Sequence, residues 1–510
     1  MKANQRSNTR VRQRGQVLLW FLATVAASCA ILALVYNVGQ MANEKEKTVN
    51  AADASALSGA LVEARILNFT AYTNRAMIAN EVTIAQMLSA DSWVRYDATL
   101  AQYLADYLQF LAVVPIIGTA IVDGLNAHAQ ALQYLQQVTD QAARAVILAC
   151  DTANKALGLA RSLLVGSPAA AATVAAAATS VANGIANANE TTFGGQFDTQ
   201  PELNTPFAAA MLLANEQEWA QFTRNYDGND RGNAAAVILN SRDQFSTKRG
   251  NGWLITTLNT ALEAGMLIAS GFQSYAGFDR TSGTTELIDY DHWAAQDSLD
   301  PFWAQLQYCW GIPCGYEKVY IPLVPIAYGR ADANNDGGVS KDLCHPSYST
   351  FGTGTTTNCQ DAVDAANVIS ADGIPNIVDL ANPGGPNSAD PTLIFVAGVQ
   401  KQADATLTTQ RIGLNNVPVD GPQGSPDLAD NVQNGDRLTS IASAKVFFAR
   451  PDWSQKDITQ GNLPRPDHKH EYASLYNPYW QARLTPTDDL TKAGLYMAIG
   501  ANPALSPATP

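Results

Sequence analysis

The chain opens on a polar, basic stretch and then turns abruptly apolar. Met1–Gly15 holds Lys2, Arg6, Arg10, Arg12 and Arg14 and no acidic residue. From Gly15 to Asn43 there is no charge, and Val17–Val38 is mostly Val, Leu, Ile, Phe and Ala. A helix rises about 1.5 Å per residue, so roughly 20 apolar residues cross a hydrocarbon core. Residues 16–39 are therefore expected to form a single transmembrane helix. Trp20 and Tyr36 lie near its ends, where amphipathic rings favour the interface. Glu44, Lys45, Glu46 and Lys47 mark the return to water. By the positive-inside rule, residues 1–15 form a cytoplasmic flank and the rest is exported. The rival reading is a cleaved signal peptide, whose apolar region usually runs about 7–15 residues. This run is longer, and its polar flank continues into helix-like sequence.

Beyond the anchor, the pattern changes twice. Residues 40–185 read as a helical stalk or bundle. Gln40 to about Leu111 has no proline, is rich in Ala, Glu, Met and Leu, and repeats apolar residues at helical spacing: Ile66, Phe69, Met77, Ile78, Val82, Met87 and Leu88. Leu108–Val122 is uncharged but cut by Pro115 and Gly118, too short and broken to span a membrane comfortably. It reads as a junction, with helix resuming over Asp123–Val165. Ser167-Pro168 looks like a helix cap with proline at the first helical position. The alanine-rich run Ala169–Ala178 follows, and Asn183–Pro201 makes a boundary. Residues 186–280 read as a mixed, mainly helical connector, with helix over Pro206–Glu218. Residues 281–510 read as an α+β, loop-rich head. Short β-prone runs at Val319–Ala327, Leu393–Val399 and Val446–Ala449 punctuate it, and Arg411–Asp436 is expected to be an exposed loop. The expected fold is a single-pass membrane protein: a long N-terminal helix and helical stalk, then an α+β head.

Charge narrows the partners. The 510 residues carry a net charge of −14. Without the basic flank, 27 basic residues face 46 acidic ones, a net −19. Such a surface repels phosphate backbones, so nucleic acid is not an expected partner, while cations are attracted. Of six cysteines, Cys29 lies in the apolar run and Cys150 follows an apolar stretch. Cys309, Cys314, Cys344 and Cys359 cluster, and an oxidising compartment would allow Cys309–Cys314 and Cys344–Cys359 to pair. A zinc site is the rival, although no C-x2-C pair is present. Spacing alone leaves the connectivity open.

One stretch suggests a metal. Asp332-Ala-Asn334-Asn-Asp336-Gly337-Gly338-Val339-Ser340 matches the first nine positions of a calcium loop. Its alternating oxygen side chains face one hard cation, Gly337 permits the bend, and Gly338 offers a carbonyl. The twelfth position, normally acidic, is Leu343, with Asp342 one residue early. The candidate ligands are Asp332, Asn334, Asp336, Gly338 and Asp342. The bland reading is a polar turn that needs no ion. His468-Lys-His470-Glu471 could ligate a transition metal, although a surface role suits two such histidines better. Asp289, Asp291 and His292 form a polar cluster near Trp293 without a nucleophile. The chain contains no G-x-S-x-G, P-loop, H-E-x-x-H or G-x-G-x-x-G. With five histidines in all, no catalytic residue and no cofactor other than calcium is assigned. A non-enzymatic role is expected; the alternative is a membrane-anchored extracytoplasmic enzyme or binding protein.

Three further features carry a resemblance. Arg14-Gly15-Gln16 heads the apolar helix, Asn50-Ala51-Ala52-Asp53-Ala54-Ser55-Ala56-Leu57-Ser58-Gly59-Ala60 follows it, and Tyr72-Thr73-Asn74-Arg75-Ala76-Met77-Ile78-Ala79-Asn80-Glu81 comes next. Together, over roughly the first 90 residues, they resemble the N-terminal region of TadE/TadG-like proteins of the Flp (tight adherence) pilus machinery. The resemblance implies a component of pilus assembly in the bacterial inner membrane. Its implied partners are the membrane and other pilus-assembly or pilin subunits, met through the N-terminal helix. The Asp-x-Ser-x-Ser motif of a von Willebrand A-type head is not found: Asp53-Ala-Ser55-Ala-Leu57 lacks the second serine. A second resemblance is to a type IV prepilin leader, Arg12-Gln13-Arg14-Gly15, with cleavage after Gly15. The fifth mature position would then be Trp20 in place of the usual Glu, as in a minor tip pseudopilin of a type II secretion-like system.

Overall fold

A computed structural model describes residues 16–107, 109, 117–188, 206–250, 252–320, 326–341, 343, 357–384, 389–402, 411–414, 417–420, 437–450 and 471–498. Four long or medium helices come first: α1 (Gln16–Tyr107), α2 (Ile117–Ser162), α3 (Pro168–Ala188) and α4 (Pro206–Phe222). Strand β1 (Thr223–Tyr226) precedes α5 (Gly232–Asn240), α6 (Gln244–Thr247) and α7 (Trp253–Ala269). Then come β2 (Ser274–Asp289), β3 (His292–Cys309), β4 (Ile312–Tyr320), β5 (Ala327–Asn334), α8 (Thr357–Asp364), β6 (Asn367–Ser370) and β7 (Ile377–Leu380). The chain closes with β8 (Leu393–Gln402), β9 (Arg411–Leu414), β10 (Val417–Asp420), β11 (Arg437–Phe448), β12 (Trp480–Thr485) and α9 (Asp489–Ala498).

The apolar run and the stretch after it form one uninterrupted helix of 92 residues, α1. No proline breaks it, and its composition favours helix throughout. Ser167 caps α3 as its spacing suggests: the Ala170 amide donates to Ser167 Oγ at 3.1 Å.

The polypeptide divides into two compact units. One comprises residues 1–71, 163–224 and 379–510, the other residues 72–162 and 225–378. Boundaries drawn along the chain at 185 and 280 do not coincide with these units, because each combines helices with strands distant in sequence. Arg411–Asp436, expected as loop throughout, contains an antiparallel pair, β9 with β10, with Leu414 opposite Val417. Alternating apolar residues on either side of Asn415-Asn416 account for it.

In the first unit, β12-β11-β8 form an antiparallel sheet. Met211 of α4, Val396 of β8 and Leu495 of α9 make a buried cluster there. In the second unit the sheet order is β2-β3-β5-β6, with β4 also paired to β3 and only β5–β6 parallel. Strand β3 is central, and Trp293 through Asp300 are all buried. Helix α1 crosses β5 at Gly329, where a Cβ would lie 2.1 Å from the Ser92 carbonyl. Only glycine permits that approach. Tyr96, Ile255, Leu299 and Ala327 form the adjoining core.

Candidate functional site

In the first unit, α1 presents three successive environments. Large apolar residues from Val17 to Val38 are exposed, among them Leu18, Leu19, Trp20, Phe21, Leu22, Ile31, Leu32 and Val35. The most apolar window of this helix has no buried residue. So much contiguous apolar surface is unfavourable in water and suited to lipid or to another apolar helix. The helix is long and apolar enough to cross a membrane, and so is α3 by length and composition, although 44% of its window is buried. The buried face of α3, including Ala171, Val174, Ala175, Ala178 and Ala182, makes it a packed helix of this unit.

Next comes a charged collar. Glu44, 3% exposed, accepts from Lys401 Nζ at 2.5 Å and from Lys47 Nζ at 2.9 Å. Lys45 Nζ donates to the Thr439 carbonyl at 2.6 Å. Burial alone would raise the Glu44 carboxyl, but the bonds from Lys401 and then Lys47 outweigh it and hold the pKa below its ordinary value. Burial pushes Lys45 down. The first charged residues after the apolar run are thus tied to strands β8 and β11 of the same unit.

The small-residue block follows. Ala51, Ala52, Ser55, Ala56, Ala60 and Ala64 are buried. Ser55 Oγ donates to the Ala182 carbonyl of α3 at 2.9 Å. A Cβ on Gly59 would fall 2.1 Å from the Phe395 ring of β8, so the absent side chain is what seats that ring. Small residues at these positions let the Ala182 carbonyl of α3 and the Phe395 ring of β8 reach α1. One turn on, Glu63 is fully buried, and among the described residues neither carboxyl oxygen has a hydrogen-bond partner. Burial, and then the nearby charge of Glu218, push its pKa well up.

In the second unit, the Tyr72–Glu81 segment supplies further buried polar residues. Arg161 donates to Asn74 Oδ1 at 2.9 Å and to the Asn376 carbonyl at 2.7 Å. Glu81 accepts from Trp293 Nε1 at 3.0 Å and Asn154 Nδ2 at 2.8 Å. Burial, partly offset by the Trp293 bond, raises its pKa to about 8. Asp91 accepts from Asn367 Nδ2 at 2.7 Å. Burial and a hydrogen bond with Asp140 raise it to about 7, while Arg95 pairs with Asp140 at 2.6 Å. At the sheet, Asp297 binds Arg249 at 2.8 Å, Ser92 Oγ at 2.6 Å, and Arg280. These acids hold helices and strands of one unit together. For Glu81 and Asp91 the signal in the sequence is an acid on the apolar stripe of α1, whereas Asp297 sits on β3 and carries no such local signal.

The candidate calcium residues are engaged with protein partners. Asp332 is buried and forms a two-point pair with Arg330 at 2.8 and 3.0 Å, and also accepts from the Ser340 amide at 2.8 Å. Asn334 accepts from the Gly337 amide at 2.9 Å and donates to the Gly338 carbonyl at 2.8 Å, and Gly337 takes a φ of 72°. Asp336 meets His292 Nε2 at 3.0 Å. Asp342 lies outside the described residues. Among those residues, no group of three His, Cys, Asp or Glu is placed to hold a metal. Of the polar cluster Asp289, Asp291 and His292, Asp289 pairs with His292 at 2.6 Å, whereas Asp291 turns to Arg231 at 2.9 Å. The bonds to Asp289 and Asp336 raise the His292 pKa. His468 and His470 lie outside the described residues. Cys309 and Cys314 are disulfide-bonded, and so is Cys359; Cys344 is not among the described residues. Cys29 and Cys150 are free.

Against known families, residues 15–62 match a model described as putative Flp pilus-assembly TadE/G-like. The match spans the exposed apolar run, the charged collar and the small-residue block through Ala60, and stops short of Glu63. The comparisons with curated proteins and with solved structures return no match.

Proposed function

We propose that this chain is a membrane-anchored, non-enzymatic component of Flp, or tight-adherence, pilus assembly. The observation that carries this is the coincidence of the TadE/G-like match over residues 15–62 with a helix whose apolar run is exposed and whose small-residue block is buried. Residues 16–39 sit in the bacterial inner membrane, with the basic flank cytoplasmic and the chain from residue 40 onward on the far side. The exposed run also offers a face on which helices of pilin or other assembly subunits pack.

Deleting the gene and imaging pili tests the role, with adhesion as the second readout. Loss of piliation, restored by the wild-type chain but not by one carrying Ala27→Arg and Ile31→Arg, is expected. Unchanged pili and adhesion overturn it. Mass spectrometry of the N-terminus separates a standing anchor, with residues 1–15 retained, from a processed pilin-like subunit beginning at Gln16. Calcium at the Asp332–Asp342 loop is a further proposal, supported by the loop's residue spacing. It requires Asp332 to exchange Arg330 for the ion, and calorimetry of the full chain at millimolar calcium tests it: no heat ends the idea.

A further inference from the structure

The β3–β4 hairpin of the second unit ends in a turn clamped by the Cys309–Cys314 disulfide. Trp310 and Gly311 form the turn, with φ of 55° and 82°, a backbone region that bulky residues rarely adopt. The indole of Trp310 projects freely at 103% exposure, and Tyr308 and Ile312 beside it are exposed too. A second turn lies alongside, between α7 and β2. There Phe272 (φ 65°) and Ile268 are exposed. The Tyr316 hydroxyl donates to the Phe272 carbonyl at 3.0 Å, and the Leu306 amide donates to the Gln273 carbonyl at 2.8 Å. Five large apolar side chains from two turns therefore share one end of this unit.

Charge decides what they meet. Residues 264–278 and 301–316 contain no charged side chain, although 15% of the chain is charged and its net charge is −14. Within these stretches a partner recognised by ion pairs has nothing to engage, and Glu317, the next residue along, accepts a hydrogen bond from the Gln307 side chain. A projecting turn offers no groove for a peptide. Trp and Tyr with Phe and Ile, uncharged and projecting, match the headgroup layer of a bilayer, where ring edges stay wet and ring faces become apolar. The cross-link holds the turn in shape, so little ordering is lost on docking. We propose that this aromatic tip inserts at the headgroup level of a zwitterionic lipid bilayer, as a membrane contact separate from the N-terminal helix. The contact does not depend on the pilus-assembly reading.

The test uses the full chain labelled with 5-fluorotryptophan in phosphatidylcholine nanodiscs, with protein-free phosphatidylcholine vesicles added. Trp310→Phe assigns the Trp310 fluorine resonance by its disappearance, and the remaining tryptophan signals report that the fold is intact. Spin-labelled lipid is placed first in the nanodisc and then in the vesicles, and a soluble paramagnetic reagent is used separately. Severalfold broadening of the Trp310 signal by either labelled lipid, with weaker broadening by the soluble reagent, is expected. A Trp310 signal broadened only by the soluble reagent overturns the proposal. So does one shielded from lipid and reagent alike, which would mean a protein partner or a second copy covers the tip.

Discussion

Two stretches of the first unit lie on one helix and behave in opposite ways. Val17–Val38 is made of large apolar residues and is exposed; Ala51–Ala64 is made largely of small residues and is buried. Hydrophobicity alone would put the first inside and leave the second indifferent. The difference is in what each can pack against. Bulky side chains hold neighbouring backbones apart and suit lipid or another apolar helix, whereas Ala, Ser and Gly let α3 and β8 close on the helix. Between the two stretches, Glu44 and its lysines fix where one environment ends and the other begins.

That seam is the most sensitive point. Lys401→Met leaves Glu44 buried with only Lys47, and a buried pair broken from one side costs about 3–5 kcal/mol. A loss near the lower figure is expected in chemical denaturation of the detergent-solubilised chain, and Glu44→Gln in the same background should recover part of it. A loss below about 0.5 kcal/mol, the range of ordinary surface changes, would show that the seam is not where burial begins. Within the small-residue stretch, Gly59→Val drives a side chain into the Phe395 ring and should cost about 1–3 kcal/mol. Phe395→Ala in the same chain should relieve part of that cost; if it does not, the contact is not what requires glycine.

Further along the helix, Glu81 asks whether the same burial logic extends into the second unit. Its folded pKa, near 8, lies above the ordinary value, so its contribution is complete below about pH 4.5 and fades as pH rises toward 8. Stability of that unit should fall by up to about 5 kcal/mol over this window from Glu81, each pKa unit being worth about 1.4 kcal/mol. Glu81→Gln should flatten the curve, and an unchanged slope would remove Glu81 as its cause. The smallest effect is expected at Ser55→Ala, which removes one hydrogen bond to α3 and should cost about 1 kcal/mol in the same denaturation assay.

The pattern of residues along α1 made much of this legible. An unbroken run of good helix formers specified the helix, and the apolar run and small-residue block stood out by composition. The Ser167 cap followed from local spacing, and Cys309–Cys314 is one of the pairings that spacing left open and the structure contains. The rest depends on partners hundreds of residues away. Glu44 meets Lys401, and Glu81 meets Asn154 and Trp293, pairings that no local pattern encodes. The Asp332 loop is a further case: strand register places Arg330 and Asp332 together on a buried face, where they pair, a partner that the alternating oxygens of the loop do not announce. Arg411–Asp436 is rich in Gly, Pro and Asn, which predicts loop, yet Arg411–Leu414 and Val417–Asp420 pair as strands.

The most direct test of the anchor uses Cys29, a free cysteine within the apolar run. With Cys150 replaced by Ser, native membranes are treated with a membrane-impermeant maleimide before and after solubilisation in denaturing detergent. A thiol held in hydrocarbon does not meet a membrane-impermeant reagent. Cys29 should stay unlabelled in intact membranes and label fully after denaturation. Ready labelling before detergent would contradict a membrane-spanning α1.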